Sequence, residues 1–459
     1  MSKCPHCGAE FQFDASSQLV HCEYCGSDFN PQELSKEVKT SKIKMEGRQY
    51  SCTQCGATLL SFDETAVTFC SYCGSQNILE ERMVRINAPE YIIPFSKTQK
   101  ECFRNYKRLI NRFLFCPSYL KSNSTIQKFR GIYMPYGVYK FDFHGDYTTK
   151  GKRYSHRAGN YVYYNDYKLT APVDASYQGL SYDLIAKYYD EYSQAIPFDI
   201  KGAVPYNPNY LPGFYADTKD VDISTYEEEA KRIANVDANR RLQNWTYYKY
   251  SATNLKLPFD VNQHETGMFP VYFMSVKDPK SDRLYYAIIN GQTGKAVADL
   301  PISFLKYLAG SLLLGGIIFI MLYNLPVIIP LSIDIFAVVM AVISNGIYIS
   351  QIKNCNNRYL RIGDKGFYAK DPKTGKTLRR KPKKIYHISK FVALKYAFAI
   401  AIPLLPILFR AVSDSYYYMA ASISLALVLW SFYDLVKIHN QLVSRPIPQL
   451  DKRGGDENA

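Results

Sequence analysis

An apolar run over residues 303–323, SFLKYLAGSLLLGGIIFIMLY, constrains this chain more than any other feature, and Lys306 is its only charged residue. A helix of about 20 residues is about 30 Å long, which matches the hydrocarbon thickness of a bilayer. The run is also too uniformly apolar for an amphipathic core helix. It therefore predicts a transmembrane helix.

Three later runs of similar composition cover residues 325–350, 391–412 and 415–433. Together the four runs predict two transmembrane hairpins, at residues 303–350 and 391–436. The alternative interpretation is a pair of buried helical hairpins within a large soluble core.

The charges in the connections predict the orientation of these helices. Residues 351–390 contain nine Lys and four Arg against two Asp, whereas the connection between the first two runs has no Lys or Arg. Because Lys and Arg are retained on the cytoplasmic side, we expect this loop and both termini, including the tail at residues 437–459, to be cytoplasmic. The predicted location is the cell (inner) membrane, with multiple passes.

The formal net charge of +15 is concentrated in the same loop, whose charged residues sum to +11. Residues 1–85 contain 8 basic and 11 acidic side chains. The basic excess is therefore mainly a topology signal, and the acidic N-terminal region argues against nucleic acid as its partner.

Eight of the eleven cysteines form two copies of one spacing, CxxC, 14 residues, CxxC. The copies are Cys4, Cys7, Cys22 and Cys25 and, 48 residues later, Cys52, Cys55, Cys70 and Cys73. Four thiolates satisfy tetrahedral Zn²⁺ and leave no position for a water molecule. The duplication predicts two structural zinc ribbons, one ion each, at residues 1–29 and 50–79, joined by a linker at residues 30–49.

Neighbouring residues also favour closed, structural sites. A glycine follows each cysteine pair and suits a turn that lets backbone amides face the sulfurs. His6 and His21 stand beside ligands, and we expect them to be exposed and not to bind metal. The N-terminus has no signal-peptide pattern, and the other three cysteines are scattered, which suits a reducing compartment.

Residues 86–300 have the periodicities of an α+β domain. An apolar stripe at helical spacing follows Ser96 and Gln99, whose capping-box arrangement predicts the start of a helix. From Gly131 the period changes to two and predicts strands, with a turn at Asn165 and Asp166.

The end of this domain predicts a second helix at residues 225–242, capped by Ser224, and then three strands that lead into the first apolar run. The predicted fold class is therefore multi-domain, with two small β zinc ribbons, an α+β soluble domain and a four-helix transmembrane region.

The segments CPHCGAEF and HCEYCGSDF resemble zinc ribbons of the transcription-factor-B type and of replication-restart helicases. With YIIPF, GIYMPYGVYKFDFHGDY and YYAIINGQTGKAVADLPIS, they resemble a family of bacterial multi-pass membrane proteins with tandem N-terminal zinc ribbons. This resemblance spans most of residues 1–325. It implies a membrane-anchored recruitment protein, and some members occur in operons with phage-shock-protein-A-like and flotillin-like partners. It implies no catalytic residue.

Catalytic motifs fail when their spacing is checked. Gly375-Lys376-Thr377 lacks the glycine that a phosphate-binding loop has five residues earlier. His264-Glu265 lacks the second His of a zinc-protease helix. We therefore expect a protein that is not an enzyme.

Three isolated ionisable residues have alternative interpretations. His144 and His156 are expected to be ordinary surface residues, with a cleft pair as the alternative. Asp334, the one acidic residue well inside a predicted span, is expected to reach the lipid headgroups, with an ion path as the alternative.

The basic loop at residues 351–390 has a dense cluster beside a predicted span. Its members are Arg379, Arg380, Lys381, Lys383 and Lys384. Such a cluster can bind anionic lipid headgroups, and the alternative is a solvated loop that only sets topology.

The sequence therefore predicts a membrane-anchored zinc-ribbon scaffold that recruits cytosolic or membrane proteins and contacts membrane lipids. The first alternative is a membrane-tethered nucleic-acid-binding protein. The second is a transporter or membrane enzyme subunit, which would need several polar groups to converge between the helices. The sequence leaves open whether the chain forms a homo-oligomer.

Overall fold

The computed structural model describes residues 3–35, 44–62, 70–76, 78–122, 129–245, 251–252, 257–279, 281–323, 329–369 and 384–448. The helices are α1 Gln99–Asn111, α2 Asp190–Ala195, α3 Glu227–Trp245, α4 Phe304–Tyr323, α5 Pro330–Tyr359, α6 Lys390–Leu408 and α7 Asp414–Val443. The strands are β1 Gln12–Asp14, β2 Leu19–His21, β3 Asp28–Phe29, β4 Lys44–Cys52, β5 Thr58–Ser61, β6 Ile78–Asn87, β7 Tyr91–Ile92, β8 Arg130–Ala158, β9 Tyr161–Asp183, β10 Val204–Pro205, β11 Tyr215–Ala216, β12 Ser251–Ala252, β13 Asp260–Lys277, β14 Arg283–Asn290, β15 Ala296–Ala298 and β16 Arg445–Pro446.

The strands form a small sheet, β1-β2-β3, and a large sheet with the order β10-β7-β13-β8-β11-β5-β4-β6, to which β9, β12, β14, β15 and β16 are joined. β8 is its central strand, because it pairs with β13 as far as Asp142 and with β9 as far as Ala158. Residues 132–139 of β8 are all buried. Burial on both faces explains why this stretch is continuously apolar or aromatic.

The turn predicted at Asn165 and Asp166 is wrong. Both residues lie inside β9, and the β8–β9 hairpin turns instead at Gly159, whose φ of +57° favours glycine. Because the residues on both sides of Asn165 and Asp166 are rich in Tyr and Val, which favour strands, the local pattern does not distinguish one long strand from two short ones.

The two predicted cysteine-containing segments are joined to the sheet domain in different ways. In the first, Phe13 donates its backbone N–H to the Pro212 carbonyl at 3.1 Å, and the Gln18 amide donates to the Phe95 carbonyl at 2.7 Å. The second contributes β4, β5 and β6 directly to the large sheet. The C-terminal boundary predicted for the linker at residues 30–49 is therefore wrong, because β4 already begins at Lys44 and pairs with β6.

Two predicted helix starts are also displaced. The capping box of α1 consists of Thr98 and Glu101, two residues after the predicted pair, because Ser96 still donates its N–H to the Gly291 carbonyl. The chain before α3 forms a 3₁₀ turn, Ile223–Tyr226, which is capped by Asp222 instead of Ser224. Both shifts replace one capping residue with a neighbour of similar chemistry.

Among the residues that the structure describes, four helices are long and apolar enough to span a membrane: Phe304–Met321, Pro330–Tyr359, Lys390–Leu408 and Asp414–Val443. α4 begins at the sheet domain, whereas α5 and α7 end there, so the end of α4, the start of α5 and the α6–α7 connection lie at the far end of the helices. α5 and α7 have 30 residues each, which corresponds to about 45 Å. The second and fourth predicted spans therefore continue as helix beyond residues 350 and 433, towards the sheet.

α5, α6 and α7 pack together through small side chains that let helices approach closely. These include Ala337, Ala341, Ala399, Ala421 and Ser424, all of them buried. α4 lies outside this bundle, and none of its side chains from Phe304 to Met321 is buried.

Candidate metal centres and the helix junction

The structure brings the eight predicted cysteines together in two groups of four, as their spacing predicts. In the first, Sγ–Sγ distances are 3.6 Å for Cys4 and Cys25 and 3.5 Å for Cys7 and Cys22. In the second, the distances are 3.5 Å for Cys52 and Cys73 and 3.7 Å for Cys55 and Cys70. A regular tetrahedron with Zn–S bonds of about 2.3 Å has sulfurs about 3.8 Å apart, so both groups can hold such an ion.

Each cysteine pair lies on the same backbone turn. The glycine after the pair has a φ between +69° and +74° and donates its N–H to the carbonyl of the first cysteine at 2.8 Å. The amide two residues after the second cysteine points at that cysteine's sulfur. The four turns are those of Cys4–Gly8, Cys22–Gly26, Cys52–Gly56 and Cys70–Gly74. The fourfold repeat confirms the prediction that glycine permits amides to face the sulfurs.

Within each group the thiols shift one another's pKa in opposite directions: those of Cys7, Cys55 and Cys70 are raised, and those of Cys25, Cys52 and Cys73 are lowered. Hydrogen bonds with the side chain and backbone of Ser27 lower the pKa of Cys25 to about 6. A hydrogen bond with the Cys70 thiol lowers the pKa of Cys52 to about 6. A thiol with a lowered pKa loses its proton to a metal ion more readily.

The two groups differ in burial. Cys7 and Cys25 are exposed, whereas all four cysteines of the second group are buried. The second group packs against Phe273 and Tyr286 of the large sheet. The neighbouring histidines do not join the first group, because His6 hydrogen-bonds to Ser27 at 3.0 Å and His21 pairs with Asp28 at 2.7 Å.

The other predicted residues do not converge on a site. His144 pairs with Asp174 at 2.9 Å, and His156 stacks on Tyr163. Of the basic cluster, Lys384 is described and exposed, whereas Arg379, Arg380, Lys381 and Lys383 lie outside the described residues.

Asp334 is fully buried beside Ala421 of α7, and neither carboxyl oxygen has a hydrogen-bond partner of ordinary geometry among the described residues. The expectation that it reaches the headgroups is therefore wrong. Its position on α5 faces the interior of the bundle, together with Ala337 and Ala341.

Further polar side chains inside the bundle were not predicted. Lys395 of α6 forms an ion pair with Asp434 of α7, and both are largely buried. Ser344 hydrogen-bonds to Tyr396 at 3.3 Å, which joins α5 to α6. These groups satisfy one another across helices, which stabilises packing in an apolar surrounding. The third predicted span contains Lys395, but the sequence does not show which acid faces it.

A junction of charged and aromatic residues connects the sheet domain to α5 and α7. Arg358 of α5 donates to Asp299 at 2.8 Å, to Glu191 at 3.0 Å and to the Tyr192 hydroxyl at 3.2 Å. Arg445, two residues beyond the end of α7, also donates to Glu191 and to the Tyr192 hydroxyl. In the sequence Arg358 is one of the loop charges that predict topology, and nothing in its local sequence indicates these distant partners.

The chain is 27% identical over 314 residues to the uncharacterized protein YdjG of Bacillus subtilis (strain 168), which covers 66% of this chain and 90% of that protein. No family model matches the chain. No solved structure matches it.

Proposed function

We propose that this chain is a membrane-anchored zinc-ribbon scaffold that docks partner proteins at the cytoplasmic face of the inner membrane and catalyses no reaction. The observation that carries the proposal is a long, aromatic β-hairpin that extends from the sheet domain. The cysteine groups and the apolar helices support it by supplying a folded head and an anchor.

The metal in both groups is zinc in this proposal, and its role is structural. Four thiolates occupy all four positions of a tetrahedral ion, so no position remains for water or substrate. The ion holds together short strands that bury little apolar surface of their own. Measurement of metal content tests this, with two zinc ions per chain expected and less than one contradicting it.

The four apolar helices cross the membrane in this proposal, with both termini in the cytosol. Three features support this sidedness: the basic loop at residues 351–390, the arginines of the junction, and the position of α4, α5 and α7 termini at the sheet domain. We expect carbonate to leave the protein in the membrane and protease to digest residues 1–300 in inverted vesicles but not in intact spheroplasts. The reverse protection would exclude this sidedness.

The hairpin arm, residues 143–176, is the proposed docking element. Among the described strands, β8 beyond Asp142 pairs with β9 along its length and with β12 at Gly151 and Lys152. At about 3.3 Å per residue, the 16 residues to Ala158 span about 50 Å. The arm extends away from the apolar helices. β8 begins beside the C-terminal end of β13, which is the end near Arg283 and Ser444, and it runs from there towards the opposite edge of the domain.

Tyrosines cluster on the distal half of the arm. Tyr161 is 74% exposed, and Tyr154, Tyr163 and Tyr164 are each about half exposed. Arg157 lies next to them at the turn. Tyr and Arg are enriched among the side chains that dominate protein–protein interfaces. Tyr in particular buries a large area at little entropic cost, because it has only two side-chain torsions. The family resemblance implies phage-shock-protein-A-like or flotillin-like proteins as the partner class.

A second candidate function, nucleic-acid binding, is favoured by the charge of the same arm. Lys150 lies directly opposite Lys168, an arrangement of like charges that destabilises a hairpin unless an anion lies nearby. Residues 150–168 contain three Lys and two Arg against Asp166. Aromatic side chains among cations can stack on the bases of single strands.

The experiment compares the full-length protein with two variants after cross-linking in membranes. One variant carries Tyr154→Ser, Tyr161→Ser, Tyr163→Ser and Tyr164→Ser, and the control carries Tyr24→Ser, an 83% exposed tyrosine of the first cysteine-containing segment. We expect specific protein partners that are lost in the arm variant and retained in the control. Recovery of the same proteins with the arm variant, or of none with the wild type, would contradict docking by the arm.

The second candidate is tested separately with Lys150→Glu and Lys168→Glu. Nucleic-acid binding predicts that the wild type binds single-stranded RNA or DNA at 50 mM salt and that binding weakens steeply with added salt. Absence of binding by the wild type at low salt would remove this candidate.

A further inference from the structure

A cavity of about 550 Å³ lies where the sheet domain meets α4 and α7. One wall is the loop that follows α1, residues 112–116, and another is the connector at residues 298–302 that leads into α4. His439 and Val443 of α7 complete it. The lining is mostly apolar, with a few polar groups, which is typical of small-ligand sites.

The loop at residues 112–116 is held against the first turns of α4. Ser303 donates its N–H to the Phe115 carbonyl at 2.8 Å, and the Phe115 ring packs edge-on against Tyr307. The Lys306 ammonium group donates to the Cys116 carbonyl at 2.8 Å. Because Lys306 in the first turn is the only charged residue of α4, these contacts place the loop at the depth of the lipid headgroups when the helix is in a membrane.

The outward side chains of this loop are apolar. Leu114 is 78% exposed and Phe113 is 46% exposed. An exposed Leu and Phe on a loop fixed beside a span can enter the boundary between headgroups and acyl chains, which removes them from water.

A row of cations leads along α1 to the cavity. Lys100, Arg104, Lys107, Arg108 and Arg112 are all exposed, and they recur at helical spacing on the face opposite the buried Cys102, Tyr106 and Ile110. Glu101 is the one acid between residues 99 and 112. Arg112, at the end of this row, lines the cavity.

Arg358, which also lines the cavity, is already engaged with Asp299 and Glu191. It therefore forms part of the wall and has little capacity for an additional anion. The His439 ring faces the Leu300 carbonyl at 3.4 Å. Arg112 is thus the cation of the cavity that remains at its rim and faces solvent.

We propose that this cavity binds the headgroup of an anionic phospholipid, with its phosphate at Arg112 and its acyl chains beside Phe113, Leu114 and α4. The inference rests on the proposed membrane insertion of α4. Charge complementarity selects an anionic lipid, and the exposed apolar side chains select a ligand with acyl chains over a soluble phosphate. The cationic row on α1 attracts the same lipids to the surface around the cavity.

The test measures lipid retention by native mass spectrometry of the full-length protein in a mild detergent. Phosphatidylglycerol and phosphatidylcholine with identical acyl chains are added separately to the wild type, Arg112→Glu and Arg104→Glu. Arg104 lies on the same exposed face, about two turns from the cavity, so it matches the charge change without touching the site. We expect tight retention of one phosphatidylglycerol, at least a tenfold loss of affinity in Arg112→Glu, and less than a twofold change in Arg104→Glu.

Equal retention of the two lipids, or equal losses in the two variants, would overturn the inference. A second pair of measurements uses Leu114→Ser and glycerol 3-phosphate. We expect Leu114→Ser to weaken phosphatidylglycerol retention and glycerol 3-phosphate not to compete. Competition by this soluble headgroup, with no effect of Leu114→Ser, would assign the cavity to a soluble phosphate. Carbonate extraction distinguishes the two failures, because an inserted protein without bound lipid contradicts only this inference.

Discussion

Arg358 near the end of α5 donates to Asp299 in the connector before α4 at 2.8 Å, which links two apolar helices through one buried ion pair. The Asp299 side chain also accepts the N–H of Tyr286 from β14 and the hydroxyl of Tyr192. The large sheet and the apolar helices are therefore joined by bonds between side chains as well as by the covalent chain.

We expect Arg358→Gln to destabilise this junction by roughly 3–5 kcal/mol, because it leaves the buried Asp299 carboxylate without its main cation. The change is measured by thermal unfolding of the full-length protein in detergent, monitored by the near-ultraviolet circular dichroism of its tyrosines. Lys353→Ala, at an exposed position of the same helix, is the control and should stay within about 0.5 kcal/mol of the wild type. Equal behaviour of the two variants would show that the junction contributes little.

The Lys395–Asp434 pair predicts strong coupling inside the helix bundle. We expect Asp434→Asn to destabilise the bundle by a few kcal/mol, because it leaves Lys395 buried and unpaired. The double variant Lys395→Met and Asp434→Leu should recover most of the loss, since it removes both charges. Denaturant titration of the helical signal in detergent micelles provides the measurement, and additive losses in the double variant would refute the coupling.

The two cysteine groups should respond differently to loss of one ligand. Cys55→Ser and Cys7→Ser each remove a second cysteine of a leading pair, and each should reduce the metal content by about one ion per chain. We expect Cys55→Ser to lower the unfolding temperature far more, because its group packs into the large sheet and structural zinc contributes about 10 kcal/mol or more to folding. Similar unfolding temperatures for the two variants would contradict this difference.

Asp190 predicts a pH dependence of stability. Burial, and after it the nearby Asp364, raise the pKa of the Asp190 carboxyl to about 7. Since the unfolded value is about 3.9, the folded state binds the proton more tightly, and the resulting stabilisation is complete below about pH 4 and is lost as the pH rises through 7.

We therefore expect the free energy of unfolding to fall between pH 5 and pH 8 in the wild type and to fall less in Asp190→Asn. Asp166→Asn, at an exposed position of the hairpin arm, should retain the wild-type slope. Unfolding temperatures measured across this pH range provide the test. An unchanged slope in Asp190→Asn would assign the dependence to other groups.

Local chemistry made some features predictable. A CxxC turn brings its own two sulfurs together, so Cys4 and Cys7 indicate a metal group without knowledge of the fold. Likewise, the four apolar helices follow from uniform composition over a fixed length. The helix before Asn111 was predictable from its stripe, although its capping box lies two residues from the expected one.

Long-range pairing made other features unpredictable. The strands beside Cys52 join β8 through β11, a neighbour more than 100 residues away in the chain, and no local pattern indicates this. The length of the hairpin arm was missed because Asn165 and Asp166 have the composition of a turn. Arg358 has its partners at residues 191 and 299, which only the folded structure reveals.

The second cysteine group lies between strands that belong to the large sheet. Loss of a metal ion from this group would therefore affect the sheet itself. By contrast, a zinc ribbon that lies outside the main fold of a protein can lose its ion while the rest of the protein stays folded. Here β4, β5 and β6 form one margin of the sheet that carries the arm, so under the proposed metal binding and membrane insertion a chain synthesised during metal scarcity would reach the bilayer with that margin unfinished. Supply of the ion would then govern how many competent copies the membrane holds, even when synthesis is constant.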